Sequence, residues 1–279
     1  MSSEQDPASH THSIRNNEAP APLQSLYLLY HELRPQKSSY SYVVECEDFE
    51  KHVDLFVQLR NAAHPGLHPE LTFDDGHISN YQYALPILQQ RGLRAHFFIT
   101  VGWTGQRPDY MGWDELRSLH KAGQQIGAHG WTHTLLTHCT DQQLQIELRD
   151  ARQTLEDKLG TPITTMSLPG GRFNRRVMNA CREAGYMQVF TSIPRAESVP
   201  AGAVVGRLNI RGDNHLPWIT QLLQPGSPVL TSLERQERIK AAAKAILGDR
   251  VYGKIWALLN RQESETHPDE AYENSAHHQ

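Results

Sequence analysis

Short apolar runs alternate along the chain with segments in which apolar residues recur every three to four positions. The runs have the length of β-strands, and the segments between them have the period of amphipathic helices. Sustained alternation of this kind is typical of βα units built around a parallel sheet. Seven strands are predicted, at residues 26–31, 70–73, 95–100, 125–128, 164–168, 188–191 and 204–210.

The clearest predicted helix begins at Thr140, because Thr140 and Gln143 have the spacing of a capping box. Its apolar stripe ends at Gly160, a residue type that commonly terminates helices. The stripe consists of Leu144, Leu148, Ala151, Leu155 and Leu159. Four more helices are predicted, around residues 49–56 and 85–92 and over residues 114–122 and 175–184.

The two ends of the chain lack this pattern. Residues 1–22 and 262–279 are polar and aperiodic, so we expect disordered tails, of which the second is acidic. Residues 23–230 are predicted to form one α/β domain with a barrel-like sheet. Residues 231–261 are expected to add C-terminal helices that pack on the barrel, with Ile239, Ala243 and Leu247 on one face.

Composition excludes several classes of protein. The chain has 279 residues and a net charge of −4, which does not favour binding to nucleic acid. Its cysteines, Cys46, Cys139 and Cys181, are widely separated, which excludes a disulfide scaffold and a thiolate zinc site. No apolar run is long enough to span a membrane, and the start has no signal-peptide pattern, so we expect a cytoplasmic protein.

Two adjacent carboxylates follow the second predicted strand. Asp74 and Asp75 come directly after Phe73 and precede Gly76, which can turn the backbone so that both side chains reach one end of the barrel. Carboxylates this close resist joint ionisation unless a cation or hydrogen-bond donors compensate them. The alternative is an ordinary surface turn.

Two histidines four residues apart follow the fourth predicted strand. His129 and His133 enclose Trp131, and imidazole is the most common nitrogen ligand of zinc. With one of the two aspartates they would supply three protein ligands, and the other aspartate would act as a base for water. The alternative is a pair of histidines that bond to backbone groups.

Two weaker signals lie at other strand ends. Gly170 and Gly171 allow backbone N–H groups to approach a ligand and stabilise an oxyanion, although a plain loop with Asn174 as helix N-cap fits equally well. His31 ends the first strand and would face the same end of a closed barrel. A single histidine in such a position is more often structural than catalytic.

The segments TFDDG, HGWTH and LPGGRFN, in this order and on successive strands, resemble the NodB-homology polysaccharide deacetylases of carbohydrate esterase family four. The similarity runs from about residue 26 to residue 191. It implies a distorted (β/α)7 barrel with a C-terminal helical appendage. It also implies a hydrolase of carbon–nitrogen bonds other than peptide bonds, which removes N-acetyl groups from sugar units of a polysaccharide or glycan precursor.

Carried over residue by residue, the resemblance implies that Asp75, His129 and His133 bind one divalent metal ion. Asp74 matches the general base, and the Gly170 N–H is expected to hold the oxyanion. The metal is expected to be zinc, with cobalt and nickel as alternatives, because two imidazoles and a carboxylate suit all three.

Two positions depart from the usual family pattern. Ser167 stands where most members carry an arginine that orients the base, and Arg172 or Arg207 is the candidate to replace it. The late Leu-x-His motif that usually supplies the general acid is missing. We prefer His31 as the acid, because it serves in the branch with an early Tyr-His strand, and His215 is the alternative.

The substrate is expected to be an acetylated carbohydrate. Trp131 is the first candidate to stack on a sugar ring, and Arg172 is a further candidate contact. Two alternative functions stay open. One is an O-acetyl esterase or small-amide hydrolase on the same fold, and the other is a carbohydrate-binding protein that is catalytically impaired because Ser167 replaces arginine.

Overall fold

The computed structural model describes residues 24–62 and 67–247. The predicted tails, at residues 1–22 and 262–279, lie outside the described residues, as does the last part of the predicted C-terminal region. Within the described residues no helix is both long and apolar enough to cross a membrane.

The described residues form eleven β-strands, and each of the seven predicted strands corresponds to one or two of them. In chain order they are β1 (Gln24–Tyr30), β2 (Glu32–Arg34), β3 (Val43–Glu45), β4 (Leu67–Phe73), β5 (Ala95–Ile99), β6 (Gln125–Ala128), β7 (Thr165–Ser167), β8 (Gln188–Phe190), β9 (Glu197–Ser198), β10 (Val204–Val205) and β11 (Arg207–Asn209).

A parallel sheet forms the barrel wall, and its last predicted strand closes it. Strands β1, β4, β5, β6, β7 and β8 lie side by side in this order. β10 pairs with β8 and β11 pairs with β1, and only Gly206 separates β10 from β11 along the chain. The predicted distorted (β/α)7 barrel is therefore confirmed, with its seventh strand divided between the two edges that it joins.

Gly206 lies where the two halves of this closing strand meet. A Cβ atom at this position would lie 2.5 Å from the carbonyl oxygen of Ile193, so only glycine allows this approach. Its N–H donates to Glu197 Oε1 at 2.5 Å. The closing strand is therefore interrupted at Gly206, because a residue with a side chain could not lie so close to the loop that contains Ile193.

Helices cover the outside of the barrel. They are α1 (Cys46–Asn61), α2 (Leu85–Gln90), α3 (Trp113–Lys121), α4 (Asp141–Leu144), α5 (Ala151–Leu159), α6 (Arg175–Glu183), α7 (Leu216–Leu222) and α8 (Pro228–Leu247). The predicted capping box of Thr140 and Gln143 is present at the start of α4. A π-helical stretch, Gln145–Asp150, joins α4 to α5 and was not predicted.

Side chains alternate between the two faces of the sheet, as expected for strands. Phe97 belongs to the main core that packs under the helices, whereas its neighbour Phe98 forms a second cluster with Phe190 and Val205. This second cluster fills the interior of the barrel below the carboxyl ends of the strands. We call that end the mouth of the barrel, and a functional site is expected there.

The C-terminal helix α8 differs in part from the prediction. It begins at Pro228, ahead of the predicted boundary at residue 231, and Leu230 in its first turn is buried in the core. Ile239, which we expected on a packed face, is 59% exposed. That apolar face is therefore not buried at this residue, because the helix contacts the barrel through its first turns.

Candidate metal centre and active site

Asp74 and Asp75 leave the end of β4 in different directions. The Asp74 N–H donates to the Tyr30 carbonyl, which continues the pairing of β4 with β1. Asp75 follows with a φ of 71°, in the left-handed region that non-glycine residues rarely adopt. Strained backbone of this kind concentrates at functional sites. The turn gives the two neighbouring carboxylates different nearest partners, although His129 Nε2 lies within 4 Å of both, at 3.2 Å from Asp75 Oδ1 and 3.7 Å from Asp74 Oδ2.

The Asp75 carboxylate meets both predicted metal-binding histidines. Its Oδ1 lies 3.2 Å from His129 Nε2 and 3.3 Å from His133 Nε2. The three ligand atoms all lie within 4.8 Å of one another. Tetrahedral zinc with bonds of about 2.0–2.1 Å needs ligand atoms about 3.3 Å apart, so the spacing fits such an ion.

The surroundings of these ligands also fit a cation. His129 Nδ1 donates to the carbonyl of Ser167 at 2.9 Å, which directs its Nε2 to Asp75. Asp75 Oδ1 is buried and makes no hydrogen bond within the described part of the chain. Two imidazole nitrogens lie beside this buried carboxylate oxygen. A cation bound between the oxygen and the two nitrogens would compensate the buried negative charge.

The pKa values follow the same electrostatic pattern. Burial raises the pKa of Asp75, but the imidazoles of His133, His129 and His31 outweigh it and hold the pKa well below its usual range. Burial lowers the pKa of His133 to about 4, which keeps this ring neutral. Burial also lowers the pKa of His129, but Asp74 and Asp75 raise it overall. The carboxylates thus attract a proton or a metal ion to the same place.

Glu147, which was not among the residues predicted from the sequence, holds the loop that carries His133. Its carboxylate accepts from the Trp131 N–H at 2.7 Å, from the Thr132 N–H at 3.1 Å and from the Thr132 hydroxyl at 2.6 Å. His133 itself has a φ of 66°. The buried carboxylate therefore stabilises a strained loop. Its position on the apolar face of the helix, four residues before Ala151, was the signal in the sequence.

Asp74 is bound by Arg207 from the closing strand. Arg207 Nη1 donates to Asp74 Oδ1 at 2.7 Å and Nη2 donates to Oδ2 at 2.8 Å. The Ser167 hydroxyl donates to Asp74 Oδ2 at 2.8 Å and accepts from Arg207 Nη2 at 2.7 Å. The planar guanidinium and the hydroxyl together fix the orientation of this carboxylate.

Arg207 is fully buried and rigidly held. Its Nε donates to the Thr191 carbonyl at 3.1 Å, and its guanidinium lies 5.3 Å from the ring centroid of Phe98 and 5.8 Å from that of Phe190. Burial raises the pKa of Asp74, but Arg207 and His129 lower it overall, so the carboxylate is ionised at neutral pH. Of the two predicted replacements for the missing arginine, Arg207 contacts Asp74.

Arg172 lies elsewhere. Its side chain is exposed and lines an outer cavity of about 580 Å³, together with residues of α8 such as Arg238. The structure gives it no hydrogen bond to Asp74, whose described partners are Arg207 and Ser167. Arg172 therefore stays a candidate for substrate contact and does not orient the base.

The two histidines proposed as general acid have different surroundings. His31 directly follows β1, and burial lowers its pKa against the opposing effect of the charges of Asp75 and Asp74. His215 is exposed, and its Nδ1 lies 2.8 Å from Asp48 Oδ2 on α1. Only His31 is therefore linked electrostatically to the two carboxylates in the described contacts.

The remaining predicted contacts, Trp131 and Gly170, lie in loops at the mouth. Trp131 is half-buried and packs across Gly102, where an added Cβ would lie 2.9 Å from the indole Cδ1. Gly170 has a φ of 61°, which glycine adopts without strain and which turns the loop after β7. Part of the Trp131 ring is thus used in packing, and the rest remains available to a ligand.

Comparison with known proteins finds similarity to one family over the central part of the chain. Residues 65–189 match the family model described as polysaccharide deacetylase. A putative polysaccharide deacetylase of Bacillus subtilis, YxkH, is 30% identical over 132 residues, which are 47% of this chain and 47% of that protein. The peptidoglycan-N-acetylglucosamine deacetylase of Bacillus cereus is 31% identical over 123 residues, 44% of this chain and 55% of that protein. The chain thus spans about half the length of these relatives.

A solved structure supports the fold. The deacetylase PplD of Streptococcus pyogenes, solved in complex with acetate, superposes with a TM-score of 0.64 at 19% identity. The match covers 74% of this chain and all of that one. The barrel architecture is therefore shared with a protein named as a deacetylase.

Proposed function

Because residues 65–189 of this chain match the family model described as polysaccharide deacetylase, we propose that the protein is a metal-dependent hydrolase that removes N-acetyl groups from sugar units of a polysaccharide or glycan precursor. The observation that carries the proposal is that two adjacent carboxylates have different nearest partners. Asp75 faces two imidazoles, and Asp74 faces a guanidinium.

In this proposal Asp75, His129 and His133 hold one divalent cation, with zinc preferred and cobalt or nickel as alternatives. The bound cation would act as a Lewis acid that makes water more acidic and stabilises negative charge on the acetyl oxygen. The buried Oδ1 of Asp75, which makes no hydrogen bond in the described part of the chain, and the fixed tautomer of His129 support this assignment.

Asp74 acts as the general base. Its ionised carboxylate accepts a proton from the attacking water while the oxygen of that water forms a bond to the acetyl carbon. Arg207 and Ser167 keep the carboxylate aimed at this position. The Gly170 N–H is proposed to donate to the oxyanion that forms.

His31 acts as the general acid. The carbon–nitrogen bond breaks as the leaving amine nitrogen takes a proton from the imidazole, and the products are acetate and a free amino sugar. Burial lowers the pKa of His31, which makes its protonated form a stronger donor, and Asp75 and Asp74 favour that protonated form.

The pairing of Arg207 with Asp74 supports catalysis over binding alone. The hypothesis of an impaired carbohydrate-binding protein depended on the absence of an arginine at position 167. A buried guanidinium now provides the same orientation from another strand. An O-acetyl esterase would use the same groups, so substrate comparison has to separate it from an N-deacetylase.

The test is acetate release from N-acetylated and O-acetylated oligosaccharides by the purified protein. We expect release from the N-acetylated substrate to stop after chelation and to return with zinc, cobalt or nickel. Asp75→Asn should lose zinc binding. Asp74→Asn should retain zinc and lower kcat by about 10²–10⁴-fold.

Asp157→Asn is the matched control, because this aspartate is exposed on α5. It should leave metal content and rate unchanged. Metal-independent acetate release, or full activity of folded Asp74→Asn, would contradict the proposal. Release from the O-acetylated substrate alone would replace the N-deacetylase with an esterase.

A further inference from the structure

A cavity lies at the amino end of the barrel, opposite the mouth. It has a volume of about 600 Å³, and each of the six neighbouring parallel strands contributes to its lining. The strand residues that line it are Ser25 and Tyr27 from β1, Glu70 from β4, His96 from β5, Gln125 and Ile126 from β6, Thr165 from β7 and Gln188 from β8. The proposed reaction uses none of them.

Polar side chains predominate among these strand residues, whereas the interior of such a barrel is normally filled by bulky apolar ones. Tyr27 and Glu70 are paired across β1 and β4, and His96 and Gln125 are paired across β5 and β6. An apolar layer at these positions would add to the packing of the core. Departures from that pattern are expected at functional sites, so the polar layer indicates a binding role.

Two buried aromatic rings separate this cavity from the proposed catalytic groups. The centroid of the His96 ring lies 5.7 Å from that of Phe98 and 5.5 Å from that of Phe190. The guanidinium of Arg207, which bonds to Asp74, lies 5.3 Å and 5.8 Å from the centroids of the same two rings. Both phenylalanines are fully buried, so the cavity is a site of its own and not an extension of the proposed active site.

The charge of the lining favours a cation. Glu70 makes no hydrogen bond or ion pair with the described residues, and no lysine or arginine of the described chain lines the cavity. The side chain is accessible from the open end, yet the surrounding protein removes enough water to raise the pKa of Glu70. An ammonium group beside this carboxylate would compensate for the lost water, whereas an anion would be repelled.

The neutral groups around Glu70 suit a ligand that carries hydroxyls. Burial and the charge of Glu70 raise the pKa of Tyr27 to about 12, so the tyrosine hydroxyl keeps its proton and can donate. Burial lowers the pKa of His96 to about 4, so this imidazole is uncharged at neutral pH and can accept. The hydroxyls of Ser25 and Thr165 can do both.

The walls of the cavity are held in place by hydrogen bonds. Residues 199–201 line it from a loop that follows β9, and Gln188 Nε2 donates to the Ala201 carbonyl of this loop at 3.2 Å. On the other side Gln124 Oε1 accepts from the Ala95 N–H at 2.8 Å. The cavity is thus formed without a ligand, which lowers the cost of binding one. Its volume falls within the roughly 300–1,000 Å³ that is typical of small-molecule sites.

We propose that this cavity binds a small polyhydroxylated amine, such as an amino sugar, at the end of the barrel opposite the proposed metal ligands. The Glu70 carboxylate pairs with the ammonium group, and side chains such as Tyr27 and His96 bond to the hydroxyls. The inference goes beyond the proposed function and does not depend on it, because the two sites share no residue.

Calorimetric titration of the zinc-loaded protein with glucosamine at neutral pH tests the inference. We expect saturable binding with a Kd of about 1 mM or lower. Glucose has a hydroxyl in place of the ammonium group and should bind at least about tenfold more weakly. Spermidine carries positive charge without hydroxyls and should also bind more weakly than glucosamine.

Two variants test the cavity independently, and thermal unfolding checks that each is folded. Glu70→Gln keeps the size of the side chain and removes its charge, so it should raise the Kd for glucosamine by at least about tenfold. Gln125→Trp fills the cavity from an exposed position and should abolish binding. Glu183→Gln, at an exposed glutamate on α6, is the matched control and should leave the Kd unchanged.

Asp74→Asn distinguishes this cavity from the proposed active site, and it should retain glucosamine binding. Loss of binding in Asp74→Asn together with full binding in Glu70→Gln would place glucosamine in the active site and overturn the inference. No saturable binding, binding of glucose or spermidine as tight as that of glucosamine, or an unchanged Kd in folded Glu70→Gln would also overturn it. Absence of acetate release would count against the proposed function alone.

Discussion

Arg207 fixes the orientation of Asp74, the proposed general base. Its two terminal nitrogens contact both oxygens of the carboxylate, which fixes the plane of the group as well as its charge. Lysine would supply charge from a single nitrogen and could not impose that plane. The chain thus combines a serine at position 167 with an arginine from β11, and both side chains bond to Asp74 Oδ2 and to each other.

The first residue-scale prediction is an exchange of these two side chains. Arg207→Ser should lower kcat by about 10²-fold or more, because the base loses its alignment. The double variant Ser167→Arg/Arg207→Ser returns a guanidinium to the cluster at constant total volume, and it should recover at least about tenfold of the loss. Acetate release and thermal unfolding are the measurements.

A pH profile separates alignment from a general loss of structure. Arg207 lowers the pKa of Asp74, so its removal should raise that pKa and move the acidic limb of the rate profile to higher pH. A folded Arg207→Ser protein with unchanged rate and profile would contradict the role assigned to this arginine. Destabilisation is also expected, because it leaves a buried carboxylate without its partner, at a cost of about 3–5 kcal/mol.

At the scale of elements, the π-helical stretch between α4 and α5 supports the loop of a proposed metal ligand, His133. Glu147 lies in this stretch, and it is 3% exposed. It bonds to the backbone of the loop that presents His133, and no other side chain is described as accepting from these N–H groups. A helix on the outside of the barrel therefore holds the shape of a loop at its mouth.

Glu147→Ala should weaken zinc binding by about 10–100-fold, the range typical for groups that support metal ligands. The loop would lose its hydrogen bonds, and His133 would leave its strained conformation. Competition titration with a chromogenic chelator measures the Kd. Glu183→Ala, at an exposed position on α6, is the control. An unchanged Kd for Glu147→Ala would show that the loop holds its shape without the carboxylate.

At the scale of the whole molecule, buried histidines make stability depend on pH. His52 is fully buried on α1 and hydrogen-bonded to the hydroxyl of Tyr30 at 3.1 Å. Burial lowers its pKa to about 4, against a partial opposing effect of Asp48. The unfolded chain takes up this proton near pH 6.5, whereas the folded chain resists it until about pH 4.

Stability should therefore be highest above pH 6.5 and fall as the pH drops towards 4, by roughly 3 kcal/mol from this histidine alone. His52→Gln should flatten this part of the curve, as measured by urea unfolding at several pH values. His120→Gln is the control, since His120 is exposed on α3. A variant curve as steep as that of the unchanged protein would exclude His52 as the cause.

The sequence alone determined the order and type of most elements and the grouping of three candidate metal ligands. Apolar periodicity is a local property, so strands such as β6 and the capping box at Thr140 could be predicted within a few residues. The carboxyl ends of parallel strands meet at one mouth, which is why Asp75, His129 and His133 could be grouped before their distances were known.

Only the tertiary structure decided which distant side chains complete that site. Arg207 and Asp74 lie 133 positions apart, and they meet because Gly206 lets the last strand close the barrel. Glu147 reaches its loop through a π-helical stretch that local pattern does not reveal. Such contacts depend on how the two edges of the sheet meet in space. The spacing of residues along the chain does not reveal which distant side chains will be brought into contact.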